Sequence, residues 1–270
     1  MKATPQDHAD ASTIAAAAGA ALVELRRRRQ HEGVDPSVLR DEGDRLANDL
    51  ILDTLSRTHP DDAVLSEEAA DDTTRVDRRR LWIVDPLDGT REFGEEGRSD
   101  WAVHVALVVD GIPAAGAVAL PARGLTLDTV SPPPPPPRHD GSVRMFVSRT
   151  RPPDLVAPLA ERLGATVVPM GSAGAKAMAV VLGDGDIFVH AGGQFEWDTA
   201  APAAVATAAG LHVSRIDGTP LRYNNAVPWL PDILICSPGL AAPALEALHD
   251  LIDEAGSVEP PGPPTPPGRR

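Results

Sequence analysis

The segment Leu81-Trp82-Ile83-Val84-Asp85-Pro86-Leu87-Asp88-Gly89-Thr90 closes an apolar run with two carboxylates three residues apart, a proline turn between them. Such a turn aims both acids at one point, where close like charges either neutralise through a raised pKa or take a cation between them. A divalent metal is the natural cation. A donor set rich in Asp and poor in Cys and His favours a hard ion such as Mg²⁺, held by carboxylate, carbonyl and water oxygens. Zinc is not indicated, since the chain has one Cys, and its eight histidines, His59, His104 and His190 among them, form no helical i, i+4 pair. Directly after Asp88, Gly89 and Thr90 open a short helix whose free N–H groups and positive dipole end suit a phosphate oxygen. The plainer reading is an acidic turn in which Asp85 and Asp88 only cap backbone.

The elements that must position these groups are readable from periodicity. Ile14, Ala18, Leu22 and Leu25 mark an amphipathic helix, and the run Arg26 to Arg29 at its end reads as a solvated helix end rather than a nucleic-acid patch. Leu46, Leu50, Ile51 and Leu55 mark a second helix, with Asp41, Glu42 and Asp44 crowded around its N-terminus and a break at His59-Pro60. Short strands over 63–65 and 81–84 each end in carboxylates: Glu67 and Glu68 after the first, Asp85 after the second. Strands over 101–109, 112–120 and 125–130 follow, the first two joined at Asp110-Gly111 in a hairpin turn, so an antiparallel sheet is expected.

The six prolines Pro132 to Pro137 favour an extended spacer at a surface loop or lobe boundary. Beyond them the pattern alternates. Strands are expected over 143–147, 166–168, 187–190 and 233–236, with helices over 153–163, after Gly174, over 197–209 and from Leu240, the mark of an α/β lobe. The expected organisation is an N-terminal α+β lobe over 1–138 carrying the metal-binding motifs, a C-terminal α/β lobe over 139–258 carrying a substrate loop, and a disordered tail over 259–270, rich in Pro and Gly.

An apolar pair followed by Asp-Pro-Leu-Asp-Gly-Thr resembles the hallmark of the inositol monophosphatase superfamily of metal-dependent, lithium-sensitive phosphatases. Ser66-Glu67-Glu68 resembles its upstream Glu-Glu element, Glu196-Trp197-Asp198-Thr199-Ala200-Ala201-Pro202 its Trp-Asp-x-Ala-Ala element, and Asp44-Arg45-Leu46-Ala47-Asn48 its Ala-Asp-x-x-Ala-Asn helix start. The likeness covers roughly residues 10 to 255. It implies a layered αβαβα sandwich whose two lobes share one metal site, with two or three Mg²⁺ ions on Glu67, Asp85, the carbonyl of Leu87, Asp88 and Asp198. Glu67 is preferred to Glu68 because adjacent residues at a strand end point oppositely. Asp198, taken alone, is a helix cap. The resemblance also pairs the Thr90 hydroxyl with Asp44, the carboxylate that draws a proton from the attacking water.

Within the superfamily the chain is most similar to the bacterial 3'(2'),5'-bisphosphate nucleotidases, of an actinobacterial type, which implies hydrolysis of the 3'-phosphate of 3'-phosphoadenosine 5'-phosphate to AMP and phosphate. Inositol monophosphatase or fructose 1,6-bisphosphatase activity is the alternative within the enzyme class. Gly171-Ser172-Ala173-Gly174-Ala175-Lys176 then suits a second phosphate, with Lys176 as point charge, or else is a plain helix start; Lys176 falls one residue later than the usual Gly-Ser-Ser-x-Lys spacing. It is no Walker loop. Arg222, in a stretch resembling the family's Gly-x-x-Leu-x-Tyr-Asn, is a substrate contact or an ordinary turn arginine. Gly89 and Thr90 complete the expected substrate contacts. One departure precedes Asp44: the family's Val-Thr-x-Ala-Asp is replaced by Leu39-Arg40-Asp41-Glu42-Gly43-Asp44, so the Thr is missing and two acids are added.

Composition narrows the classes further. The 270 residues are 42% hydrophobic and 24% charged, enough for an apolar core shared by two lobes. With 25 Lys and Arg against 39 Asp and Glu the net charge is −14, which repels nucleic acid polymers and anionic membranes. No apolar run approaches the roughly 20 residues of a membrane span, Met1 to Asp10 is polar and unlike a signal peptide, and the single Cys236 fits a reducing compartment. A cytoplasmic enzyme acting on a small phosphorylated molecule is expected, with a homodimer as a candidate assembly. A haloacid-dehalogenase-type phosphatase would need Asp-x-Asp-Gly-Thr, and position 86 is Pro. A non-catalytic anion or metal sensor on the same scaffold is the rival from another class.

Overall fold

Helix α1 (Pro5–His31) starts where Thr4 and Asp7 form a reciprocal capping box and Pro5 supplies a preset φ. The computed structural model describes residues 2–135 and 141–255. Helix α2 (Pro36–Thr58) is capped by Asp35, which accepts from the Ser37 amide. It therefore begins well before the acids at 41–44, so Asp44 lies two turns inside the helix and not at its start. The Asp35-Pro36 pair, a cap followed by proline at the first helical position, decides that boundary. Leu46, counted above on the apolar face, is 38% exposed, while Leu39, Ala47, Ile51 and Leu55 make the buried stripe.

Two mixed sheets follow. The first joins β1 (Ala63–Ser66), β2 (Arg80–Asp88), β3 (Ala102–Val109), β4 (Ile112–Leu120) and β5 (Leu125–Asp128) in sequence order, with β1 parallel to β2 and the rest antiparallel. The β3–β4 hairpin turns at Asp110 (φ 52°) and Gly111 (φ 77°), the two positive φ values that a tight primed turn demands. The second sheet runs β7 (Thr166–Met170), β6 (Arg144–Ser148), β8 (Ile187–Phe195), β10 (Trp229–Cys236), β9 (His212–Ser214), parallel among β7, β6 and β8 and antiparallel beyond.

Strand alternation gives each sheet two apolar faces, which explains five layers. Trp82, Val84, Val103, Val105 and Leu107 face α1 and α2 on the outside. Leu81, Ile83, Ala102, Ala106 and Val108 face inward onto α5 (Ala173–Val181) and α6 (Glu196–Ala208), whose alanines let them lie close between the sheets against Phe188, Ile233 and Ile235. The far face of the second sheet, with Met145, Val147, Val189 and Leu234, packs on α4 (Val156–Leu163) and α7 (Ala241–Ala255). The layers are thus α1/α2, first sheet, α5/α6, second sheet, α4/α7. The short helix α3 (Thr90–Gly94) leaves the end of β2.

The arginine run at the end of α1 is only partly solvated. Arg26 is half-buried over the Phe93 and Trp101 rings, and its guanidinium donates to the carbonyls of Arg98 at 2.8 Å and Glu95 at 2.5 Å. Arg29 pairs with Glu42, both contacts at 2.6 Å. Pro132–Pro135 carry no regular structure, while Pro136, Pro137 and the tail 259–270 lie outside the described residues.

Candidate active site

The pairing of β2 with β3 slips between Asp85 and Asp88, and this irregularity replaces strand alternation with a turn that brings both acids to one side. Asp85 Oδ1 accepts the Leu87 amide at 3.1 Å within that turn. Gly89 caps α3 at φ 85°, and a Cβ there would stand 3.1 Å from the Asp100 carbonyl, so glycine is required twice over. Thr90 donates its hydroxyl to the Leu87 carbonyl at 2.9 Å and reaches Asp44 Oδ1 at 3.5 Å. From the other half of the chain, Asp198 is the third residue of α6 and accepts the Phe195 amide at 2.7 Å, so it does cap its helix. One oxygen from each of Asp85, Asp88 and Asp198 lies within 4.8 Å of the others.

Burial and crowding act on these acids together. Burial, then the charge of Asp198, Glu68 and Asp44, holds Glu67 well above the usual carboxylate range, and burial with Glu67 and Asp88 does the same to Asp85. Burial followed by Asp88 pushes Asp198 up to about 7; burial followed by Glu68 and Asp41 pushes Asp44 up to about 7. Asp88 goes the other way: burial opposes it, but His104, Lys176 and the Ser172 hydroxyl bring it down to about 2. Four crowded acids that resist ionisation, offering only oxygen donors, fit a hard divalent cation. Glu67 lines the same cavity, although part of its side chain remains exposed.

The start of α5 closes on Asp88 from the opposite side. Ser172 Oγ donates to Asp88 at 2.5 Å, and the amides of Gly174 and Ala173 reach it at 2.7 and 3.1 Å. The Gly171 amide is taken by Asp100 at 2.7 Å. The sequence pattern aims these N–H groups at a phosphate; in the structure they face protein carboxylates. Lys176 lines the cavity but is buried in its wall, with Nζ donating to the carbonyls of Ser172 at 2.6 Å and Gly171 at 3.3 Å and lying 5.3 Å over the Phe188 ring. Arg222 is exposed and is not among the residues lining the cavity, while its neighbours Asn224 and Asn225 are tied down by the buried Glu196.

The cavity is about 410 Å³. Besides Glu67, Asp88, Gly89, Thr90, Gly171, Ser172, Lys176 and Asp198 it takes in residues that spacing alone did not single out: Arg91, Arg149, Arg151, His190, Gln194 and Trp229. Burial drops His190 to about 4, so it is neutral at pH 7. Arg149 is committed to Glu92 at 2.6 Å and Glu95 at 3.0 Å, whereas Arg151 is exposed. The signal was present, because Ser148-Arg149-Thr150-Arg151 follows a strand just as Glu67 and Glu68 do. Glu92 in turn rests on Gly171, where a Cβ would fall 2.3 Å from its carboxyl carbon.

The sequence profile of the inositol monophosphatase family matches residues 4–132 and 139–253. The chain is 49% identical over 258 residues to a 3'-phosphoadenosine 5'-phosphate phosphatase of Mycobacterium leprae, covering 91% of this chain and 94% of the relative. It is 32% identical over 198 residues to the 3'(2'),5'-bisphosphate nucleotidase CysQ of Escherichia coli K12, covering 69% and 80%. Among solved structures, CysQ from Bacteroides thetaiotaomicron superposes with a TM-score of 0.75 at 24% identity over 86% of this chain and 97% of that one, a likeness of fold.

Proposed function

The chain belongs to the inositol monophosphatase family, and from that premise we propose that it hydrolyses the 3'-phosphate of 3'-phosphoadenosine 5'-phosphate, releasing AMP and inorganic phosphate. The observation that carries this reading is the identity of about half the residues with a phosphatase of that substrate over nearly the whole of both chains. The acid cluster formed by the end of β2 and the start of α6 supports it.

Glu67, Asp85, the Leu87 carbonyl, Asp88 and Asp198 would hold Mg²⁺, as two or three ions. When bound, the metal supplies Lewis acidity toward phosphoryl oxygens and reverses the negative field of a chain with net charge −14. Asp44, 3.5 Å from the Thr90 hydroxyl, is the carboxylate that would accept the proton of the attacking water through that hydroxyl. Gly89 and Thr90 border the reacting phosphate. Arg151 and Arg91, the exposed cations of the cavity, are placed to hold the second phosphate, with Lys176 fixing the shape of the wall behind Ser172.

No described helix is long and apolar enough to cross a membrane, and a single buried Cys236 accords with a cytoplasmic setting. The deciding measurement is initial rates with Mg²⁺ over adenosine 3',5'-bisphosphate, inositol 1-phosphate and fructose 1,6-bisphosphate. The nucleotide should have the highest kcat/KM. A higher value for either sugar phosphate would move the chain to another branch of the family.

A further inference from the structure

His104 lies where the two halves of the acid cluster meet. It sits directly opposite Asp85 in the β2–β3 register, on the inward face of the first sheet, and is fully buried. Its Nδ1 is 3.0 Å from the carbonyl of Trp197, the residue before Asp198. Its Nε2 is 3.2 Å from Asp88 Oδ2 but off the line of a hydrogen bond, leaving that nitrogen without a hydrogen-bond partner. Asp85 Oδ2 is 4.0 Å from Nδ1. The first turn of α5 packs against the ring: a Cβ on Gly174 would fall 2.0 Å from Nε2 and 3.0 Å from the carbons on either side.

A satisfied core histidine needs only one polar neighbour and apolar surroundings. This ring instead touches the end of β2, which delivers Asp85 and Asp88, the start of α6, which delivers Asp198, and the start of α5, whose amides hold Asp88. We infer that His104 is a positioning residue that fixes the spacing of the three carboxylates, holding α6 through the Trp197 carbonyl and standing behind Asp88. The inference rests on the metal-binding reading of that cluster. Residues behind metal ligands change affinity by about 10- to 100-fold when removed, because the ligands then sample geometries that do not converge.

Three variants separate positioning from packing. His104→Phe keeps the ring and removes both nitrogens; His104→Asn keeps a donor at the place of Nδ1; Gly174→Ala presses a methyl into the ring while leaving His104 intact. Mg²⁺ binding to substrate-free protein is read by titration calorimetry, alongside the Mg²⁺ midpoint for activity, KM at saturating Mg²⁺ and the thermal midpoint of metal-free protein. His104→Phe and Gly174→Ala should each weaken Mg²⁺ binding by about 10- to 100-fold, with KM at saturating Mg²⁺ little changed, and His104→Asn should bind close to wild type. Should His104→Phe fail to fold, His104→Leu carries the test, because Gly174→Ala also disturbs the Gly174 amide that donates to Asp88. Wild-type Mg²⁺ binding in the altered proteins, with only the thermal midpoint lowered, would make His104 a packing residue and overturn the inference. Failure of the wild-type protein itself to bind Mg²⁺ would overturn the metal-binding reading and this inference with it.

Discussion

Thr90 Oγ1 stands 3.5 Å from Asp44 Oδ1, at the outer limit of a hydrogen bond, because its hydroxyl is given first to the Leu87 carbonyl at 2.9 Å. Glu42, one of the two acids added upstream, is held by Arg29, and Asp41 is exposed. Asp44→Asn should therefore lower kcat by about 10²- to 10⁴-fold with KM little changed, while Asp41→Asn and Glu42→Gln keep most of their activity. A large kcat loss in either of those two, beside a fully active Asp44→Asn, would move the proton-accepting role away from Asp44.

Asp85 is buried among Glu67, Asp88 and Asp198. Asp85→Asn preserves its shape and its bond from the Leu87 amide but removes one charge from the set that would hold the metal. Turnover should fall to background, and the heat of Mg²⁺ binding should shrink or vanish. Near wild-type rates with an unaltered Mg²⁺ response would show that the ion is held elsewhere.

Metal-free protein should lose stability as the pH rises through neutrality. Asp44 and Asp198 sit near 7 in the folded chain against an ordinary 3.8, so between about pH 4 and 7 the folded state holds protons that the unfolded state has released. The slope of stability with pH is then negative across that window, and the full penalty is present above 7. The thermal midpoint in chelator should drop from pH 5 to pH 8, and Mg²⁺ should remove most of the drop. Asp88, held near 2, contributes with the opposite sign only between about 4 and 2, and His190, held near 4, offsets part of the drop between about 4 and 6.5. A midpoint that climbs from pH 5 to 8 without metal would contradict the crowding of the acids.

Lys176 and Arg151 should behave differently. Lys176→Ala strips the Gly171 and Ser172 carbonyls of a buried donor, so it should cost about 1–3 kcal/mol of stability and slow every substrate. Arg151→Ala should leave stability alone and raise KM for adenosine 3',5'-bisphosphate by about tenfold or more, the size of a lost charge-assisted contact, with little effect on a monophosphate. A stable Lys176→Ala protein impaired only on the bisphosphate would return the second phosphate to Lys176.

The strand ends were the legible part of this chain. The run 81–84 reads as a strand from its apolar residues and the hairpin at Asp110-Gly111 from turn chemistry, whereas the αβαβα layering comes only with the family likeness; β2 itself runs past Asp85 through a register slip to Asp88. Local sequence could not show where the first turn of α5 would dock. Its free amides read as an anion site, yet Asp88 arrives from 84 or more residues upstream and takes them. Arg26 is a similar case, since four arginines in a row look solvated until Phe93 and Trp101 are folded beneath the first. The α2 boundary was readable all along, from Asp35-Pro36, and was overshadowed by the acids at 41–44.

Gly171 is bare because Glu92 occupies the space its side chain would need. The two residues belong to opposite halves of the chain, so a hybrid enzyme spliced within the proline stretch from two relatives would inherit one partner without the other. Any parent carrying alanine or serine at the position of Gly171 would jam against Glu92 at the seam. Successful recombinants should therefore cross over only between parents that match at both sites, or carry both residues together as one exchangeable unit.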